Sequence, residues 1–262
     1  MDLQIKMTWL HHVNPMVKLF FLVFLFIGLI LIHLIHFQFY FLLFIICIYM
    51  FMTGCRTKWL LLLSLPLAIL FLSSFLSMAL FGMGETTWWK LGIVHITEES
   101  FFRGLHLGIR TVSFGLLGLV FALTTTPVQL FYSSMQQLRL KPKFAYSFMA
   151  SIRILPIIVE EIIILKKALK VRGYVYSKGL TGFFERMNHY SVPILAQSIR
   201  RAHRIAIAMQ IKQFNGDTRR TYYYKIGYSR HDIFFTLVVT VFFLVSVVLA
   251  NILPVFPVDY VR

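Results

Sequence analysis

The chain is organised around two segments, PIIVEEIIILKKALKVRG at residues 156–173 and PILAQSIRRAHRIAIAMQIKQF at residues 193–214. In the first, Pro156 predicts a helix start or a kink. Glu160 and Glu161 are then expected in an early turn, where acids complement the helix dipole. Cations fill the last turns, and they are Lys166, Lys167, Lys170 and Arg172. Gly173 suits the left-handed residue just past a helix end.

The second segment predicts a narrow apolar stripe on one helix face, because apolar residues recur every three or four positions. The stripe consists of Leu195, Ile199, Ala202, Ala206 and Met209. Arg200, Arg201, Arg204 and Lys212 lie off or beside it. Each predicted helix therefore ends in a cation that points away from an apolar body. This pattern indicates a docking surface, since neither segment contains a nucleophile, a metal cage or a phosphate loop.

Composition indicates a membrane protein. Of the 262 residues, 58% are hydrophobic and 27 are Phe, and mean hydropathy is +0.76. Soluble domains are closer to half apolar and lack long uncharged runs. We therefore predict an all-α polytopic membrane protein whose first span serves as its own insertion signal. Cys47 and Cys55 lie in or beside apolar runs, which indicates inert packing.

Five transmembrane helices are expected, because each apolar run matches the roughly 20 residues that cross a bilayer. The predicted spans are 16–33, 37–53, 59–81, 105–123 and 233–252. The chain then divides into N-terminal spans (1–127), a cytoplasmic region holding the two amphipathic helices (128–230) and a C-terminal span (231–262). The segment 82–103 is expected to be an acidic loop.

Loop charges predict the orientation. Residues 128–230 contain 18 Lys and Arg against 4 Asp and Glu. Basic loops favour the cytoplasm, so this region and the Arg56/Lys58 loop are placed inside. The acidic loop with Glu85, Glu98 and Glu99 is placed outside. The N-terminus is then cytoplasmic and the C-terminus external.

Several isolated polar residues have ordinary explanations. Arg110, near the start of the fourth predicted span, is expected to extend to the headgroups or to make an internal pair. His33 and His36 suit the turn between two spans better than a metal site. Glu160 and Glu161 do not form an acid/base pair, because adjacent helical residues point apart.

At this point the motifs resemble a known family, the transmembrane coupling component of energy-coupling factor transporters (EcfT/CbiQ). That family carries an Ala-Arg-Gly motif at the end of each of two coupling helices. Here Val171-Arg172-Gly173 resembles the first motif, with Val171 in place of Ala. Ile211-Lys212-Gln213 stands where the second would be and departs from it at all three positions. Further similar segments are 10–19 (LHHVNPMVKL), 125–127 (TTP), 140–142 (LKP) and 153–156 (RILP).

The resemblance implies a role. Such a subunit joins two cytoplasmic ATP-binding-cassette (ABC) ATPases to a small membrane-embedded substrate-binding subunit. Closure of the ATPases on ATP would move the coupling helices and release a vitamin or a transition-metal ion inside the cell. The chain itself would bind no cofactor, since ATP and Mg²⁺ belong to the ATPases. It would lie in a bacterial or archaeal plasma membrane.

The two motifs predict unequal docking sites. The guanidinium of Arg172 is a planar fork that can bind a carboxylate at two points, whereas Lys212 is a point charge on a flexible stem. Such an asymmetric pair of sites would suit two non-identical ATPases, although the sequence leaves open whether the ATPases are one gene product or two. The apolar stripe is expected either to contact the other coupling helix or the substrate-binding subunit, or to pack within this chain.

Two other functions remain open from the sequence, a scaffold that binds anionic lipid and a membrane enzyme with a cytoplasmic site. The enzyme would need clustered carboxylates or His near the inner face, whereas four acids are scattered over that region. Nucleic acid is not an expected partner, because the aromatics cluster between the helices and not among their cations. The substrate is not encoded in this chain if specificity resides in another subunit.

Overall fold

The computed structural model describes residues 6–82, 86–91, 94–174, 179–214 and 221–256. A short 3₁₀ helix at Trp9–His12 precedes α1 (Pro15–Leu31), α2 (Ile35–Met52) and α3 (Thr57–Phe81). A small antiparallel hairpin, β1 (Thr87–Leu91) and β2 (Val94–Thr97), leads into α4 (Glu98–Thr124). The remaining helices are α5 (Pro127–Gln137), α6 (Pro142–Val171), α7 (Leu180–Ile211) and α8 (Arg230–Ile252).

The predicted fold class, a polytopic helical membrane protein, is confirmed. Among the described residues, α2, α3, α4 and α8 are long and apolar enough to cross a bilayer, and α1 is a shorter apolar helix. The hairpin was not predicted. The Glu85 and Asp259 positions lie outside the described residues, as does the C-terminal end of the chain.

The start of the fourth span was predicted wrongly. Helix α4 begins at Glu98 and not near residue 105, so that Arg103 is helical rather than part of a loop. The reason is a helix cap, since the Thr97 hydroxyl accepts a hydrogen bond from the Ser100 amide and the Ser100 hydroxyl receives one from the Thr97 amide. Glu98 and Glu99 occupy the first turn, where acids are favourable. The apolar segment predicted by hydropathy is thus the C-terminal part of a longer helix.

Pro156 was predicted to start or to kink a helix, and it lies inside α6, which excludes the start. Pro193, the first residue of the second quoted segment, likewise lies inside α7. Helix α6 instead begins at Pro142, where proline occupies the first turn. Glu160 therefore lies about five turns into α6, not in an early turn.

The chain forms two compact units. The membrane unit comprises residues 1–133 and 226–262, and the coupling unit comprises residues 134–225. The core of the membrane unit is apolar and is contributed by α1, α2, α4 and α8, with Leu60 from α3. Its buried members include Leu29, Phe37, Phe41, Ile45, Leu116 and Val239.

Helix α3 packs closely on α4 because glycines line the contact. A Cβ atom added at Gly104 would lie 2.8 Å from the Phe75 carbonyl oxygen, and one added at Gly108 would lie 2.7 Å from the Phe71 ring. These glycines are four residues apart, as in other membrane helices that approach closely. The opposite face of α3 stays exposed, with Leu61 and Leu65 both more than half accessible.

Both long helices of the coupling unit end in the same backbone motif. After α6, the Gly173 amide donates to the Lys170 carbonyl at 3.1 Å and the Tyr174 amide to the Leu169 carbonyl at 3.1 Å. After α7, the Gln213 amide donates to the Gln210 carbonyl at 2.9 Å and the Phe214 amide to the Met209 carbonyl at 2.9 Å. This is the Schellman motif, which requires a left-handed residue just past the helix. Gly173 has a φ of 71° and Gln213 a φ of 53°.

The α3–α4 contact gives a first prediction. Gly104→Ala should lower the midpoint of thermal unfolding in detergent, at a cost of about 1–3 kcal/mol, because the new methyl group meets a backbone carbonyl that cannot rotate away. Gly118→Ala is the matched control on the same helix, since nothing lies within 4 Å of a Cβ added there. Equal midpoints for the two variants would contradict this account of the packing.

The helix ends give a second prediction. Gln213→Gly should stabilise the end of α7 by about 1 kcal/mol, because glycine adopts a left-handed conformation without the steric cost of a side chain. Gly173→Gln should destabilise the end of α6 by a similar amount. Hydrogen exchange of the amides at positions 173–174 and 213–214 measures both effects. Slower exchange after Gly173→Gln, or faster exchange after Gln213→Gly, would show that these turns differ from the structure.

Candidate functional site

The coupling unit is built on α6 and α7, which bind each other through a carboxylate. Glu161 on α6 forms an ion pair with Arg201 on α7, and both side chains are largely buried. The Gln197 side-chain amide donates to the same Glu161 oxygen at 3.0 Å. Because Gln197 and Arg201 are four residues apart, they lie on one face of α7. Glu161 thus serves as a structural link between the helices, a role that its place in the sequence does not indicate.

The ends of α6 and α7 each present an exposed cation. Arg172 is the C-cap residue of α6 and Lys212 is the C-cap residue of α7. Each directly precedes the left-handed residue, and both are exposed. Within the described residues, neither side chain takes part in a hydrogen bond or an ion pair. Each cation therefore remains available to a carboxylate outside this chain.

An exposed apolar residue precedes each cation. Val171 is 88% exposed and Ile211 is 77% exposed. A branched apolar side chain beside a charge is costly to leave in water and favours burial against a partner. The backbone then turns at Gly173 and at Gln213, and among the described residues both cations stay exposed. The structure thus gives the two predicted sites the same form, while their side chains differ as the sequence shows.

The predicted apolar stripe of α7 lies beside the face that contacts α6. Leu195 is 60% exposed and Ile199 is 68% exposed. Ala202 and Ala206 are also exposed, whereas Met209 is half-buried. Other residues of α7, including Gln197 and Arg201, make the polar contact with α6. The docking and packing roles assigned to these side chains stay predictions.

The described residues of the types that commonly bind metal ions do not form a cluster. Across the described ranges, no group of three or more His, Cys, Asp or Glu side chains is placed to hold a metal ion. His33 bonds the Leu31 carbonyl oxygen at 3.0 Å, and the His36 ring accepts from the Val255 amide at 3.2 Å. Arg110 is half-buried and donates to the Ile30 carbonyl oxygen at 3.2 Å. Arg110 therefore makes an internal contact, which was one of its two predicted explanations.

One polar cluster escaped the sequence analysis. Asn14 and Lys18 belong to the segment that resembles a family motif, but their side chains are buried in the membrane unit with Ser133 and Asp232. These residues come from three separate parts of the chain, since Asn14 and Lys18 both lie at the start of α1. An Asn-Pro pair at a helix start was the only local signal, because Asn is a common N-cap.

Comparisons with known proteins agree with these features. A family model described as cobalt transport protein (CbiQ) matches residues 6–223, well over half of the chain. The energy-coupling factor transporter transmembrane protein EcfT of Macrococcus caseolyticus is 28% identical over 236 residues, covering 86% of this chain and 88% of the relative. EcfT of Lacticaseibacillus paracasei is 25% identical over 238 residues with the same coverage. EcfT of Bacillus subtilis is 26% identical over 153 residues, covering 55% of this chain and 57% of the relative.

The matched region contains α1 to α7 and both helix ends, and α8 follows it. The family consists of transporter membrane components and not of catalytic enzymes. The chain therefore belongs to the CbiQ/EcfT family, and it is a multi-pass transmembrane component of an energy-coupling factor transporter.

Proposed function

We propose that this chain transmits ATP-driven motion from two cytoplasmic ABC ATPases to a membrane-embedded substrate-binding subunit, for uptake of a vitamin or a transition-metal ion. The observation that carries the proposal is the twin form of the α6 and α7 ends. Each presents an exposed apolar residue, an exposed cation and a left-handed turn. Two equivalent ends on one unit suit a partner that also comes as a pair of similar subunits.

The chemistry of these ends specifies the partner surface. A groove that receives them needs a carboxylate for the cation and an apolar wall for Val171 or Ile211. Arg172 can bind such a carboxylate with two parallel hydrogen bonds, and Lys212 supplies a single point charge. The Arg172 site is therefore the more strongly defined, and the two ATPases are proposed to be non-identical. ATP and Mg²⁺ are bound by these ATPases, with no cofactor in the present chain.

The exposed stripe of α7 is proposed to contact the substrate-binding subunit or the other coupling helix. Leu195 and Ile199 provide the apolar area, and the small Ala202 and Ala206 allow another helix to approach closely. The basic coupling unit faces the cytoplasm in this proposal, because 18 of the 26 Lys and Arg residues lie between positions 128 and 230. The N-terminus is then cytoplasmic.

Charge reversal tests the docking sites. Arg172→Glu should reduce the recovery of ABC ATPases with the affinity-tagged chain by about tenfold or more, because losing one partner of a buried charge pair costs about 2–5 kcal/mol. Lys212→Glu should have a smaller effect. The matched control is Lys166→Glu, which makes the same charge change at an exposed position of α6 well before its end.

The possible outcomes separate the alternatives. Loss of ATPases from the Lys166→Glu variant would attribute recovery to overall charge and not to the helix ends. Equal losses for Arg172→Glu and Lys212→Glu would contradict the proposed asymmetry. Recovery of the parent chain with anionic lipid alone would favour a lipid-binding scaffold, and the coupling proposal would fail.

A further inference from the structure

The coupling unit is joined to the membrane unit by two covalent connections. The chain leaves the membrane unit after Ser133, within α5, and returns at Ile226, shortly before α8. Any displacement of the coupling unit must act on the membrane unit through these connections or through surface contacts. What holds the connections in the membrane unit therefore bears on how motion is transmitted.

A single side chain binds both connections. The Ser133 hydroxyl donates to Asn14 Oδ1 at 2.6 Å, and Asn14 Nδ2 donates to the Gly227 carbonyl oxygen at 3.4 Å. Asn14 is 3% exposed and Ser133 is 0% exposed. An asparagine amide supplies one acceptor and one donor group on the same short side chain, so it can satisfy both partners at once. Aspartate lacks the donor and leucine lacks both groups.

Asn14 is itself held in place by its backbone and by its neighbours. Its backbone amide donates to Asp232 Oδ1 at 2.7 Å, and its side-chain Oδ1 also accepts from the Met16 backbone amide at 3.0 Å. The second carboxylate oxygen of Asp232 accepts from the Ser229 amide at 2.8 Å, which caps α8. The start of α1 and the start of α8 are thereby tied to one another.

A lysine one turn later extends this network to α4. Lys18 Nζ donates to the Thr124 carbonyl oxygen at 2.9 Å, at the residue where α4 ends. Lys18 is 5% exposed. Just before α1, burial and the neighbouring Lys18 ammonium lower the pKa of His11, which favours its neutral form. Buried polar groups in such a network are costly to leave unpaired, so each bond restricts the others.

We propose that Asn14 is the positioning residue that holds the two connections of the coupling unit together on the membrane unit. This inference rests on the proposed coupling function. With Asn14 in place, a displacement of the coupling unit acts on one fixed point, where α1, α5 and the segment before α8 meet. Without Asn14, the two connections are still joined to each other by the Gln136 side chain, which donates to the Tyr224 carbonyl oxygen at 2.7 Å. They are no longer held to the start of α1, and the displacement is absorbed locally. ATP hydrolysis by the partner ATPases would then continue while the membrane unit stays still.

Hydrogen exchange on the purified full-length chain tests the fixed point without any partner. Asn14→Ala should speed exchange at residues 226–232 and 128–134 about tenfold, since losing the bonds of a buried amide makes local opening more favourable by a comparable factor. Ser133→Ala removes only the hydroxyl that donates to Asn14, so it provides a milder test if Asn14→Ala does not fold. It should speed exchange mainly at 128–134. The double variant should be no faster than Asn14→Ala, because both changes remove the same bond.

The matched control is Ser246→Ala. Ser246 is also 0% exposed, but its hydroxyl donates to the Phe242 carbonyl oxygen within α8. The Ser246→Ala variant should exchange at residues 128–134 and 226–232 as fast as the parent chain. Equal acceleration by Ser133→Ala and Ser246→Ala, or none by Ser133→Ala and Asn14→Ala, would overturn the fixed point.

The purified complex tests transmission. Spin labels are placed through Phe81→Cys in the membrane unit and His203→Cys in the coupling unit, both exposed positions, with Cys47→Ala and Cys55→Ala to remove the native thiols. In the parent complex the membrane unit follows the coupling unit, so the label separation should change little between ADP and ATP. The Asn14→Ala complex should keep its ATPases and its hydrolysis rate, but its coupling unit should move while the membrane unit stays still, so the separation should change more or become more broadly distributed.

Two results have distinct meanings here. A label separation that changes no more in the Asn14→Ala complex than in the parent, together with fast exchange at 226–232, would overturn the positioning role while leaving the coupling function intact. A parent complex that contains no ATPase would instead refute the proposed function, and this inference with it, whatever the exchange data show.

Discussion

The hydrogen bonds of Asn14 are the constraint on which the membrane unit depends most. In an apolar setting, buried polar groups must find partners within the protein. Asn14 meets this requirement with Ser133, Gly227 and Asp232, which come from distant parts of the chain. The segment before α1 is therefore not a loose N-terminal extension. It is the place where the helices of the membrane unit and the two connections to the coupling unit are fixed together.

The coupling unit has a different physical character. Few of its described residues are buried, among them Ala145, Leu169 and Gly182. Its long helices expose apolar side chains such as Leu155 and Phe184, at 59% and 68%. Such a unit gains little from its own core, and a polar link such as Glu161–Arg201 becomes important for holding its helices together. An open apolar and basic surface is consistent with a component that is completed by other subunits.

Much of the fold could be predicted because a bilayer imposes a simple length and hydropathy rule. The rule located α1, α2, α3 and α8 closely, but it could not locate the start of α4, which depends on the cap at Thr97. Pro156 and Pro193 do not mark the starts of α6 and α7, because both helices continue through them. The hairpin before α4 has no strong local pattern.

The candidate site shows a similar division. Gly173 was recognised as a helix end because glycine readily adopts a left-handed conformation. The equivalent role of Gln213 was not, since a glutamine in that conformation is uncommon. The pairing of Glu161 with Arg201 and the contacts of Asn14 join residues far apart in sequence, and no spacing rule reveals such pairs.

Photo-crosslinking from the helix ends tests the central claim most directly. A photoreactive amino acid is introduced in place of Val171 or Ile211 in the native host, and the crosslinked products are identified by mass spectrometry. The account predicts adducts with ABC ATPases from both positions, and with two different ATPases if the sites are unequal. Adducts with lipid alone, or none with an ATPase from either position, would contradict it.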